Sequence, residues 1–182
     1  MAVQYPELNQ QLIEFIDRQY LYFVGTAGAE GRVNVSPKGM DSFRVVSPSE
    51  VVWLNLTGSG NETAAHVLEN SRMTIMFCSF ERQPLVLRLY GQAQAVHPRD
   101  VGWSDLICLF PEHAGARQIF RLQLDLVQTS CGYAVPHMNY EAERTTLQNW
   151  AEKRGEEGVR QYWQERNQRS LDDRETGILP LD

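Results

Sequence analysis

The chain has 182 residues, 42% of them hydrophobic and 22% charged, with a net charge of −6 spread along its length. That length and balance fit one compact domain with a full core and a terminal appendage, and the dispersed negative charge argues against a sequence-independent grip on nucleic acid or an anionic membrane. Three well-separated cysteines, Cys78, Cys108 and Cys131, form no CxxC pair, and no apolar run reaches transmembrane length, so a cytoplasmic protein with reduced thiols is expected.

The first element predicted is a helix in "PELNQQLIEFIDRQ", where Leu8, Leu12, Phe15 and Ile16 share a face and Pro6 stands at the start. "YLYFVGTA" (Tyr20 to Ala27) is rich in aromatic and β-branched residues and reads as a strand running into the turn "GAEG". "RVNVSP" alternates Val33 and Val35 with polar neighbours, completing a hairpin, and "FRVVS" and "EVVWLNL" flank the turn "PS" as the next pair. After the turn "GSGN", "ETAAHVLENS" predicts a short helix with Asn61 as its N-cap. "RMTIMFCSF" and "PLVLRLYGQAQAV" are further strands, the second broken near Gly91. "PRDVGWSDLICLF" reads as a helix from Pro98, and "RQIFRLQLDLVQTS" as the last strand. From Asn139 the texture becomes highly charged, predicting two helices separated near Gly155 and an irregular tail "LDDRETGILPLD".

About six strands with glycine turns, and few helices between them, point to a mainly antiparallel barrel. The turn after "EVVWLNLT" (Gly58 to His66, "GSGNETAAH") is built like an anion receptor, with glycines and small polar residues ahead of a helix start. It lacks the third glycine of a dinucleotide fingerprint and the Gly-Lys-Ser/Thr of a P-loop, so it belongs to another architecture. Lys38 in "NVSPKGMDSF" is one of only two lysines. It is either an exposed loop residue or a compact charge aimed at an anion.

In order along the chain, "VNVSPKGMDSFRV", "WLNLTGSGNETAAHVLENSRMTIMF", "LRLYGQA" and "SCGYAVP" resemble the pyridoxamine 5'-phosphate oxidase-like family of FMN-binding split barrels. The resemblance implies a six-stranded antiparallel split barrel with flanking helices and a C-terminal helical extension. It implies an FMN-binding domain over residues 1–138, with residues 139–182 forming the extension and tail. It further implies a homodimer with FMN at the interface and the phosphate at the start of the short helix. On this resemblance the cofactor-binding residues are Ser36, Lys38, Thr57, Gly58, Ser59, Asn61, Thr63 and Arg88. Two departures stand out: Glu62 and Thr63 occupy positions where the oxidases usually carry arginine and lysine. The arginine- and tryptophan-bearing closing segment has no match here, so pyridoxamine phosphate oxidation itself is not expected.

His66 reads as a packing histidine, and His97, His113 and His137 have no ligand spacing, so no metal site is expected. Cys131 reads as a small buried residue beside a glycine bend, and Trp53 as core; Trp150, Tyr162 and Trp163 read as packing for the C-terminal helices. No catalytic triad or carboxylate pair stands out, which a flavin enzyme does not need. The functional expectation is an FMN-dependent oxidoreductase on a small molecule. The alternative is a non-catalytic binding or sensing barrel holding flavin, deazaflavin or haem.

Overall fold

The computed structural model describes residues 2–180. Its elements run β1 (Val3–Tyr5), α1 (Gln10–Asp17), β2 (Tyr22–Thr26), β3 (Asn34–Lys38), β4 (Phe43–Ser47), β5 (Glu50–Leu56), α2 (Glu62–Glu69), β6 (Arg72–Cys78), β7 (Val86–Val96), α3 (Trp103–Ile107), β8 (Ala116–Ser130) and α4 (Thr146–Arg166). These eight strands form one antiparallel sheet in the order β3-β2-β6-β7-β8-β5-β4, with β1 paired to the far end of β8. The sheet curls into a barrel that stays open between its end strands β3 and β4, the split of a split barrel. The expected architecture is therefore present, with more strands than six. β1 escapes a sequence reading because three residues carry no usable period, and only pairing with Val127–Thr129 makes them a strand.

Two helix starts differ from expectation. α1 begins after Asn9, whose side chain accepts from the Leu12 N–H at 3.0 Å; this cap outweighs Pro6 as a start signal. The segment from Pro98 turns at Asp100 and winds only into the five-residue α3, because its N-cap Gly102 adopts φ 92°.

Strand β5 is buried from Val51 to Asn55, and each face meets a different partner. Val51 and Trp53 join the barrel core with Ile75, Phe77, Leu87, Leu89, Phe120 and Leu122, and Leu12, Phe15 and Ile16 of α1 close over it. Val52 and Leu54 face the opposite way, against Phe110, Ile119 and the apolar side of α3. Trp53 is fully buried and stacks on Phe120, with ring centroids 4.7 Å apart, as its strand alternation predicts. The break foreseen near Gly91 is a register shift between Tyr90 and Gly91 within a continuous β7. A Cβ on Gly91 would lie 1.9 Å from the Gln123 carbonyl oxygen, so only glycine lets β8 approach there.

The C-terminal region is one helical segment interrupted at Gly155, whose φ of 69° and ψ of 171° set the two halves at an angle. Ala151, Val159 and Trp163 of α4 form a small apolar cluster with Ile178 of the tail. The tail has no regular structure, yet it is fastened to the barrel. Arg99 donates to the carbonyls of Gly177, Ile178 and Pro180, and Arg174 and Asp172 pair with Glu69 and Arg32. No helix is long and apolar enough to cross a membrane among the described residues.

Candidate functional site

The barrel's opening brings the end of β3 beside β5. Lys38 closes β3, and its Nζ donates to Asn55 Oδ1 at 3.4 Å and lies 5.2 Å from the centroid of the Trp53 ring. From there a polar cleft of about 580 Å³ runs to the start of α2. Of the expected site residues it collects Ser36, Lys38, Gly58, Ser59, Asn61 and Thr63. Glycine and serine keep the turn at Gly58 and Ser59 open to solvent, whereas Asn61 and Thr63 are buried at the helix start.

Asn61 occupies the N-cap position of α2, but its side chain does not cap the helix. Its Oδ1 instead accepts from Gln118 Nε2 at 2.8 Å, and its Nδ2 is buried without a partner. The correction has a tertiary cause: β8 brings a buried glutamine within reach of the asparagine. The first-turn N–H groups of α2 are left without a side-chain cap, facing the cleft where the helix dipole is positive. Glu62, a carboxylate lining the same cleft, is held at its tail side, both of its oxygens accepting from the Leu171 N–H at 3.0 Å. Thr63 Oγ1 accepts from Asn34 Nδ2 at 3.3 Å.

The sequence reading missed Arg117, a buried cation of the cleft. It is only 3% exposed, and its Nη1 donates to the Gly60 carbonyl at 3.0 Å and to Asn167 Oδ1 at 2.7 Å, while its Nε is buried and unpaired. Burial and the neighbouring Arg117 charge push Lys38 down to about 8, and burial pushes Arg117 down to about 9, so both carry charge at neutral pH. Neither has a carboxylate within ion-pair distance among the described residues. A half-buried lysine and a buried arginine, neither ion-paired among the described residues, beside an uncapped helix N-terminus suit a phosphate-sized anion. The only sequence hint of Arg117 was its place at the start of β8; its partner strand had to be known.

Lys38, Gly58 and Ser59 also border a second cavity of about 660 Å³, mainly apolar, with Tyr20, Pro37, Met40, Leu147, Trp150 and Tyr162 in its walls. Tyr20 stacks on Tyr140 at 3.7 Å with the planes 8° apart, and Trp150 meets Tyr162 edge-on at 5.1 Å. Met40 and Asp41, in the loop that crosses the split, hold positive φ of 60° and 52°, a conformation rare outside glycine and concentrated at functional loops. The C-terminal aromatics expected as packing residues are thus cavity walls as well. Trp163 does pack: its Nε1 donates to Thr57 Oγ1 at 2.9 Å.

Thr57 borders this second cavity, but its hydroxyl is committed, donating to Gly115 O at 2.8 Å while accepting from Trp163. Arg88 lies on β7, where its Nη1 donates to Ser130 Oγ at 3.2 Å, and it lines neither cavity within one chain. His66 is a buried packing residue bonded through Nδ1 to Thr26 Oγ1 at 3.0 Å. Cys131 is exposed, contrary to expectation, because β8 ends at Ser130 and the bend at Gly132 carries the chain away from the core.

The sequence model of the family described as "Pyridoxamine 5'-phosphate oxidase" matches residues 8–131, from just before α1 to the end of β8. The chain belongs to the pyridoxamine 5'-phosphate oxidase family. Within it, the "pyridoxamine 5'-phosphate oxidase family protein ustO" of Aspergillus flavus is 37% identical over 193 residues, covering 94% of this chain and 76% of that protein. Among solved structures, HupZ of Group A Streptococcus aligns over 65% of this chain and 91% of its own, with a TM-score of 0.53 and 19% identity. LDB0262 from Lactobacillus delbrueckii aligns over 68% and 94%, with a TM-score of 0.55 and 20% identity. These two likenesses establish the shared fold. The family model ends at residue 131, before α4 and the tail, whereas the Aspergillus flavus relative aligns over 94% of this chain and so extends across α4.

Proposed function

We propose that this family member binds FMN and is an FMN-dependent oxidoreductase acting on a small molecule. The observation that carries the reading is the pair of half-buried Lys38 and buried Arg117, without an ion-pair partner among the described residues, at the uncapped start of α2 and joined to an apolar aromatic cavity. The donor set fits the group: cations and a spare Asn61 amide suit the phosphate, and aromatic walls suit a planar ring. Lys38, Arg117, Asn61 and Ser59 would hold the phosphate; Tyr20, Pro37 and Trp150 would bound the ring. When bound, the flavin supplies two-electron redox chemistry, and the protein's part is to bind and orient it and to exclude water. Thr57 then serves by fixing the turn against Trp163 and Gly115.

The protein works as a homodimer with FMN at the interface, a reading supported by the free outer edge of β3, where Val33 and Val35 are 72% and 65% exposed. Arg88 would serve from the far side of that interface. The chain functions in the cytoplasm without membrane or nucleic acid, in keeping with unpaired cysteines and a net charge of −6. A haem-holding or sensing role is the weaker reading, since neither cavity has a histidine or cysteine among its described lining residues; His113 lines an adjoining cavity that shares Tyr20, Met40 and Tyr140.

The decisive experiment is the visible absorption spectrum of freshly purified protein, with chromatography of the chromophore released by heat. FMN at about one per chain is expected. A colourless protein that also fails to quench the fluorescence of added FMN would overturn the reading.

A further inference from the structure

The family's sequence model stops at residue 131, short of Asn167, yet this residue is completely buried and holds the anion cleft together. It is the C-cap of α4, with its backbone N–H donating to Trp163 O. Its side chain is used at both ends: Oδ1 accepts from Arg117 Nη1 at 2.7 Å, and Nδ2 donates to Gly58 O at 3.1 Å. Thr176 Oγ1 donates to the Asn167 carbonyl at 2.6 Å, tying the tail to the same point. One amide thus spans the glycine turn and the buried arginine, 109 and 50 residues away in sequence.

Arg117 has little else to fix it. It makes one further bond, to Gly60 O, and has no carboxylate partner among the described residues. A neutral amide orients a guanidinium without neutralising it. A carboxylate at the same place would hold it equally well but cancel the charge that an anion needs. The choice of asparagine therefore has a chemical sense that a helix cap alone does not require.

The geometry points to Asn167 as a positioning residue that makes the C-terminal extension part of the phosphate site, aiming Arg117 and the Gly58 turn at a phosphate monoester. This rests on the flavin reading for the identity of the ligand, but not for its phosphate. Arg169 and Ser170, which follow in the chain, line the same cleft and close it from the tail side. The extension is thereby a determinant of phosphorylated over unphosphorylated ligand.

The test compares FMN with riboflavin, which lacks only the phosphate, by quenching of flavin fluorescence in the full chain and in its Asn167→Asp and Asn167→Ala variants. Asn167→Asp retains an acceptor for Arg117 while cancelling its charge, and it also removes the Nδ2 donor to Gly58 O, so both parts of the phosphate site are affected. FMN affinity is expected to fall about tenfold or more in Asn167→Asp, with riboflavin affinity unchanged and the far-ultraviolet circular dichroism intact. Asn167→Ala, if folded, should also lose affinity for FMN selectively. Equal losses for both flavins, or no loss for either, would overturn the assignment and leave Asn167 as a cap only.

If the wild-type chain binds neither flavin, the flavin reading fails, and inorganic phosphate then decides this inference by itself. Phosphate should raise the melting temperature of the wild type and not that of Asn167→Asp. A phosphate response that is the same in both, or absent in the wild type, would overturn the assignment.

Discussion

Lys38 shows how burial turns a common side chain into a specific one. At the mouth of the split the half-buried lysine has gained one amide oxygen and the face of Trp53 in place of part of its water. Replacing it by alanine is expected to weaken FMN binding by about 1.5–3 kcal/mol, the range for a hydrogen bond to a charged group, as read from fluorescence titration. Its lowered pKa, about 8, also sets a pH signature. The free protein loses the lysine proton above that value, so FMN affinity should decline as pH rises through about 8, and in Lys38→Arg the decline should begin only near 9, where Arg117 titrates.

The same shift acts on stability in the opposite sense. Between about 8 and the ordinary 10.5 the unfolded chain still holds the proton that the folded chain has released. The ligand-free protein should therefore grow more stable with pH across that window. Denaturant titrations of Lys38→Met should lose the part of that rise that begins near 8, leaving the part set by Arg117 above about 9.

At the scale of elements, two glycines decide where strands and helices can go. Gly155 has no neighbour within 4 Å of a built Cβ, so its cost on substitution is conformational alone. With φ 69° and ψ 171° it sits in a region nearly closed to other residues. Gly155→Ala should cost about 1–3 kcal/mol of stability, measured by chemical denaturation, and should disturb the angle that lets Trp150 meet Tyr162. Both glycine breaks were legible in the sequence: Gly155 interrupts a helical period and Gly91 a strand alternation. The short helix α2 was legible too, but its cap was not. Asn61 is a good capping residue by type, and only the arrival of Gln118 diverts its side chain.

Over the whole molecule, the C-terminal extension behaves as part of the barrel. Trp163 bonds to Thr57, Asn167 to Arg117 and Gly58, and Arg99 to the tail, so these contacts all cross from residues after 138 to residues before it. Ending the chain at residue 138 should lower the melting temperature and abolish retention of FMN through purification; an independently folding barrel that kept its cofactor would refute this. Light scattering should give a particle of twice the 20.9 kDa chain mass, as expected if β3 lies at a dimer interface.

The sequence by itself determined the class of fold and the chemistry of one wall of the cleft. Alternating apolar residues, glycine turns and a small polar loop before a helix are local signals, and local sterics and solvation enforce them wherever the chain goes. It also marked Ser36, Lys38, Ser59, Asn61 and Thr63, which lie within the two segments that flank the split. The tertiary structure alone decided that Arg117 and Asn167 join them, that Glu62 is tied to the Leu171 N–H and that Arg88 stands apart. Those outcomes depend on which buried polar groups become neighbours when β8 pairs with β5 and α4 closes over the turn. A buried donor must find an acceptor among whatever the fold brings near, and no period or propensity in the sequence records that meeting.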